Sequence, residues 1–204
     1  MDTTTTEKLR IALLGSMQIV RGTTPVTDFE ADAARALLAY LVMNPARPIP
    51  RRVLAGMLWP EWPDSDALRN LRSALYRLRQ AIGDRDAAPP YLTITRQTLQ
   101  FNTESATALD VATFTDHVEA ARTHQHPRGM LCPPCVQGLT EAAATYRGDF
   151  MDGFSLDSPP FEEWIVVQRE AYHQQALWAL DQMTAYYEAN GTLDQALTYA
   201  QRQV

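Results

Sequence analysis

No apolar run in this chain approaches the roughly 18 to 20 residues that a membrane span requires. Its opening residues, MDTTTTEKLR, are polar and carry acids, without the basic-then-apolar order of a secretory leader. A cytoplasmic protein with no membrane partner is therefore expected. Cysteine is scarce: Cys132 and Cys135 are the only two, and they build no disulfide framework, which fits a reducing compartment. The four histidines, His117, His124, His126 and His173, have no evident nucleophile in company. Also lacking are the phosphate-cradling G-x-x-x-x-G-K-[ST], the zinc-protease H-E-x-x-H and the nucleophile elbow G-x-S-x-G. The chain is expected to be no enzyme and to carry no cofactor.

What is present is 204 residues, 46% hydrophobic and 21% charged, enough for one large or two small domains with real cores. The net charge of −6 conceals an asymmetry: residues 1–102 sum to +3 and residues 103–204 to −9. Between residues 47 and 85 stand eight arginines against four acids. Phosphate attraction depends on the local patch, because salt screens charges beyond about 8 to 10 Å. An acidic second half is no obstacle to nucleic-acid binding by the first.

The stretch Asp64 to Gly83, DSDALRNLRSALYRLRQAIG, organises that basic region. Leu68, Leu71, Leu75, Leu78 and Ile82 recur on one helical face, with Arg69, Ser73, Tyr76, Arg77 and Gln80 opposite. Asp64 or Ser65 is placed to cap its start, and Gly83 to stop it. Alone, the stretch reads equally as a surface helix with solvated arginines. Its flanks decide. Before it come short strands at Leu9–Leu14, Met17–Val20 and near Val26, then a helix from Phe29 to Met43 and an extended Pro48–Pro50 link. A short helix Arg51–Leu58 and the proline-rich loop Trp59–Pro63 lead into it. After it, Tyr91–Thr95 and Thr98–Phe101 flank Arg96-Gln97 as a hairpin. Strands, helix, helix, long helix, hairpin is the order of a winged helix-turn-helix with an N-terminal sheet.

The second half is helical. Asp110 is placed to cap a helix burying Val111, Phe114, Val118 and Ala121. An irregular insertion, Thr123–Pro134, precedes a helix over Val136–Tyr146. Phe161–Ala189 is a long helix or two joined ones, and Leu193–Gln201 is a last helix. The spacing Leu180, Met183, Tyr187, Gly191, Ala196 resembles one tetratricopeptide unit. The expected fold is mainly α with small β sheets: a winged helix-turn-helix domain over 1–102, then a tetratricopeptide-like α-helical repeat domain over 103–204. Stacked repeats bury their cores against neighbours, so the chain is expected to be part of a longer one.

The segments ARALLAYLVMNPARPIPRRVLAGMLWP and LRNLRSALYRLRQAIG resemble the DNA-binding domain of SARP/AfsR-type bacterial transcriptional activators, which is related to OmpR-like winged helices. TYRGDFMDGF and FEEWIVVQREAYHQQAL are similar to the bacterial transcriptional activation domain that follows it there. The resemblance implies a sequence-specific regulator that binds direct-repeat operators in double-stranded DNA, possible homodimer contacts on DNA, and contact with RNA polymerase. The polymerase-contacting segment corresponds to Trp59–Pro63, with Glu61 and Trp62 as candidates; the alternative is that Trp59 or Trp62 staples the helix junction into the core.

Chemistry distributes the DNA contacts. Arg69, Ser73, Tyr76 and Arg77, with Asn70 and Gln80, are candidates to face the major groove, where arginine pairs with guanine and Asn or Gln with adenine. Arg72 and Arg79, nearer the sides, suit phosphates or structural carboxylates. Arg51 and Arg52 open the helix that crosses the backbone in helix-turn-helix proteins, and Arg96 at the hairpin tip suits the minor groove. The alternative function is a helical-repeat protein-interaction adaptor whose winged helix does not read DNA. His124, His126, Cys132 and Cys135 are either without metal, a structural zinc set, or a redox Cys-x-x-Cys pair. Their spacing fits no derivable zinc motif, and no metal is expected.

Overall fold

The computed structural model describes residues 8–203. They form two compact units. Among the described residues, unit one comprises residues 8–11, 18–108 and 154–165; unit two comprises residues 12–17, 109–153 and 166–203.

Unit one begins with β1 (Leu9–Ala12), β2 (Gln18–Arg21) and β3 (Thr24–Pro25). With β7 (Thr107–Leu109) they make a sheet of order β3-β2-β1-β7. The segment that follows β6 thus ends in a strand before α4 begins. Three helices follow: α1 (Asp32–Met43), α2 (Arg51–Leu58) and α3 (Asp64–Ile82). Between α1 and α2 lies β4 (Ile49–Pro50), which joins β5 (Leu92–Ile94) and β6 (Thr98–Phe101) in a second sheet of order β4-β6-β5. Pro50 ends that strand at its edge, where a missing N–H does no harm.

The core explains the helix spacing. Leu37, Leu38 and Leu41 of α1, Leu54 of α2 and Leu71, Leu78 and Ile82 of α3 are buried, as are Leu99 and Phe101 of β6. Residues 154–165 complete this core: Phe161 is buried, Trp164 meets Tyr40 edge-on at 5.1 Å, and the Ser158 hydroxyl donates to the Met57 carbonyl at 2.6 Å.

α3 stops where the sequence indicates, with Gly83 in the left-handed region at φ 67°. Its start differs. Pro63 occupies the cap position and no side chain caps the helix. Asp64 is one residue too late to be the cap, and Asp66 is engaged by Arg69. Immediately after Gly83, Asp84 has no exposed surface. One carboxylate oxygen accepts from Arg79 Nε at 2.7 Å and the other from the Leu92 amide at 2.9 Å, tying α3 to β5.

Unit two contains α4 (Asp110–Thr123), α5 (Pro133–Thr145), the part of α6 (Pro159–Ala189) beyond Ile165, and α7 (Leu193–Gln201). Val111, Phe114, Val118 and Ala121 are buried as expected, and Phe150 stacks on Tyr172 at 5.7 Å. α6 is one helix of 31 residues. The expected insertion is shorter than its sequence suggests, because Thr123 closes α4 and Pro133 opens α5. Asp110 does more than serve its own helix. Leu109 holds the cap position, and the Asp110 carboxylate accepts from the amides of Leu13, Leu14 and Val111 at 2.7–2.9 Å. No helix among the described residues is long and apolar enough to cross a membrane.

Removing the Asp84 carboxylate leaves a buried amide and a guanidinium without their acceptor. Asp84→Ala is expected to lower stability by about 1 to 3 kcal/mol, read from the midpoint of urea unfolding.

Candidate nucleic-acid interface

The exposed face of α3 is set by what its other face buries. With Ala67, Leu71, Ala74, Leu75, Leu78 and Ile82 turned inward, the helical period brings Arg69, Arg72, Ser73, Tyr76 and Gln80 outward, and all five are exposed. Arg69 is paired within the helix to Asp66 at 2.5 Å but keeps its side chain 68% exposed. The Tyr76 hydroxyl accepts from Gln80 Nε2 at 3.2 Å, and the Arg85 guanidinium stands 5.8 Å from the Tyr76 ring. Arg85 was not singled out from sequence; its position just past the αL glycine carries it back beside the helix.

Two residues lie differently from their expected places. Arg77 sits at the flank, half-buried, with Nε 3.3 Å from Glu30, whereas Arg72 joins the exposed face. A helical wheel places the two on opposite shoulders of that face; Glu30, brought up by the turn before α1, settles which shoulder is neutralised. Asn70 is also half-buried, on the shoulder shared with Arg77. Arg79 is committed to Asp84, the structural carboxylate role.

The hairpin tip is built by one threonine. Thr95 Oγ1 accepts from the amides of Gln97 and Thr98 at 3.1 and 2.9 Å, and the Thr95 amide donates to the Thr98 carbonyl at 3.0 Å. Arg96 is thereby held exposed at the tip. β4 pairs Ile49 with Leu99 and Pro50 with Thr98, so α2 starts directly from the hairpin's edge. Arg51 finishes the join: its amide donates to the Gln97 carbonyl at 2.8 Å, and its guanidinium donates to the Thr95 carbonyl at 2.9 and 3.1 Å.

These elements enclose a groove of about 700 Å³ lined by Pro50, Arg51, Arg52, Leu68, Leu71, Arg72, Arg96 and Gln97. Four arginines from α2, α3 and the hairpin converge there. No ion pair to Arg51, Arg52, Arg72 or Arg96 occurs among the described residues. Arg51 is held below its ordinary pKa, first by partial burial and then by the charge of Arg72. An anion in the groove would relieve that repulsion.

The loop before α3 presents Glu61 and Trp62 outward, Trp62 being 55% exposed, while Trp59 is half-buried. The staple role therefore suits Trp59 and not Trp62. Outside this region, four metal-type ligands, His124, His126, Cys132 and Cys135, stand together in unit two.

A helix-turn-helix with a β-hairpin wing and a cationic groove, followed by a helical domain, is the architecture of a winged-helix regulator. Among known protein families, residues 31–98 match the model described as transcriptional regulatory protein, C terminal, and residues 109–204 match the bacterial transcriptional activator domain. The transcriptional regulatory protein EmbR of Mycobacterium tuberculosis and that of Mycobacterium bovis are each 38% identical over 80 residues, 39% of this chain and 20% of theirs. The chain thus spans about a fifth of the length of the curated relatives it matches. A solved structure, Mycobacterium tuberculosis EmbR in complex with a low affinity phosphopeptide, shares the fold: TM-score 0.63 at 23% identity, over 97% of this chain and 59% of that one. The chain carries, in order, a match to the C-terminal domain of transcriptional regulatory proteins, an OmpR-like winged helix, and a match to the bacterial transcriptional activator domain, the pairing that the resemblance to SARP/AfsR-type regulators implies. Both matched models describe parts of transcriptional regulators.

Thr95→Val deletes the acceptor that closes the hairpin tip. Amide exchange at Gln97 and Thr98 should speed up while the amides of α3 keep their protection, measured by hydrogen–deuterium exchange.

Proposed function

We propose that this chain activates transcription by gripping duplex DNA through the α3 face and the four-arginine groove beside it. The observation that carries the reading is the convergence of Arg51, Arg52, Arg72 and Arg96 on one groove, without ion-pair partners among the described residues, next to the exposed face of α3. Arg69, Ser73, Tyr76 and Gln80 would meet base edges in the major groove, where a bidentate arginine to guanine discriminates by about 1 to 3 kcal/mol. Arg51, Arg52 and Arg72 would neutralise phosphates, and Arg96 would enter the minor groove. Asn70 and Arg77, from their shoulder, would reach backbone oxygens at the groove edge. In this division the winged helix over 1–102 binds direct-repeat half-sites. The helical domain over 103–204 supports homodimer contacts and positions RNA polymerase, with Glu61 and Trp62 touching the enzyme directly.

Operator sites selected from random duplexes supply the probe. Binding should fall steeply with salt, and Arg72→Ala should reduce the slope of log K against log salt by about 1. Arg69→Ala should cost about 1 to 3 kcal/mol on the preferred site and much less on mismatched ones. Arg77→Ala should cost less than Arg69→Ala, because Arg77 lies half-buried at the flank beside Glu30, whereas Arg69, though paired to Asp66, keeps its side chain 68% exposed on the face. A salt-independent affinity, or no recovered sequence, would leave a protein-interaction adaptor as the better account.

In a reconstituted transcription assay, Glu61→Ala with Trp62→Ala should retain operator binding and lose activation. Loss of both would assign the loop to folding.

A further inference from the structure

The loop between α4 and α5 gathers the only two cysteines and two of the four histidines of the chain. His124 occupies the C-terminal cap of α4, and His126 follows after Gln125, whose φ of 50° turns the backbone sharply. Cys132 occupies the N-terminal cap of α5 in extended conformation, and Cys135 lies in the first turn, buried. Residues eleven positions apart are thus folded back onto one point. His124 Nδ1 stands 3.1 Å from Cys135 Sγ and 3.6 Å from Cys132 Sγ, and His126 Nε2 stands 3.3 Å from Cys135 Sγ. The four ligand atoms all lie within 4.8 Å of one another.

We propose that His124, His126, Cys132 and Cys135 form a structural zinc site that locks the α4–α5 junction of unit two. A tetrahedron with Zn–S of about 2.3 Å and Zn–N of about 2.0 to 2.1 Å has edges of roughly 3.3 to 3.8 Å, shortest between nitrogens and longest between sulfurs. The three sulfur–nitrogen separations, 3.1 to 3.6 Å, fall close to that edge length before any ion is added. Two thiolates and two neutral imidazoles neutralise a divalent cation, and a mixed sulfur and nitrogen set with tetrahedral geometry selects zinc over hard cations. Four protein ligands leave no open position, so the site is structural and not catalytic.

The surroundings fit a clamp. Pro133 and Pro134 fill the first turn of α5 between the two thiols, and Cys135 is buried at the base of the loop. α5 lies close against α4 at Gly138, where a Cβ would come within 3.1 Å of His117 Nδ1. The loop itself runs against α6: Arg128 pairs with Asp181 at 2.6 Å, and Gly129, at φ 80°, fits against Ala185 and Ala189. An ion at the base of this loop would fix both contacts. The proposal replaces the expectation from sequence that no metal is bound, and it is independent of how unit one recognises DNA.

The test uses the whole chain, reduced, incubated with zinc chloride and desalted. Elemental analysis should find about one zinc per chain, and cobalt added to chelator-stripped protein should give the intense visible absorption of a tetrahedral thiolate-bound ion. Cys132→Ser and, separately, His126→Asn should weaken zinc retention at least about tenfold while the far-ultraviolet dichroism stays that of the parent. If one variant fails to fold, the other and the cobalt spectrum of the parent still decide. Zinc below roughly a tenth of an equivalent, a pale six-coordinate cobalt spectrum, or retention unchanged in both folded variants would overturn the site. A Cys132–Cys135 disulfide that persists in reductant and blocks zinc uptake would overturn it as well.

Discussion

A buried carboxylate holds unit one in register. Asp84 has no exposed surface, and it grips the end of α3 through Arg79 and the start of the wing through the Leu92 amide. Gly83 makes the geometry possible, since only a residue at ease with positive φ turns the chain sharply enough to bring Asp84 under the helix that has just ended. The angle between α3 and the β5–β6 hairpin follows from this contact. A helix and a wing that rotated independently would not present a continuous surface to a rigid duplex.

Electrostatically, the molecule separates what its net charge blends. The arginines lining the groove come from three elements, and Arg51 is depressed first by partial burial and then by the charge of Arg72. Such crowding costs free energy in the unbound protein and is relieved by an anion, so the same residues that strain the free domain would favour a polyanion. In the proposed division the residues that would read bases cluster on α3, whereas the arginines that would meet phosphates spread over α2, α3 and the wing. Affinity and specificity would therefore be separable by mutation.

Much of this was legible in the sequence. The bounds of α2 and α7 follow from apolar spacing and flanking breakers, and α3 runs from Asp64 to within a residue of its expected end. β4 and β7 were not legible as strands, because two or three residues carry no periodicity and acquire strand identity only from distant partners, Leu99 and Thr98 for β4 and β1 for β7. The exchange of Arg72 and Arg77 had a similar origin. Spacing gives angles around one helix but not what approaches it, and Glu30 arrives from another segment. The His and Cys cluster was legible as one of three readings, a structural zinc set, but its spacing fitted no zinc motif, since Gln125 and Gly129 bend the loop by positive φ values that residue spacing does not encode.

The joint at Arg51 makes the wing a part of fixed length. Its backbone and side chain together hold two carbonyls, Thr95 and Gln97, on either side of the hairpin tip. One residue added between them would move one carbonyl out of reach and turn Arg96 to a new direction. The tip can therefore exchange side chains freely at Arg96, but it has little room for insertions. Variation in what the wing touches is open to substitution, while variation in how far it reaches would require α2 to be rebuilt with it.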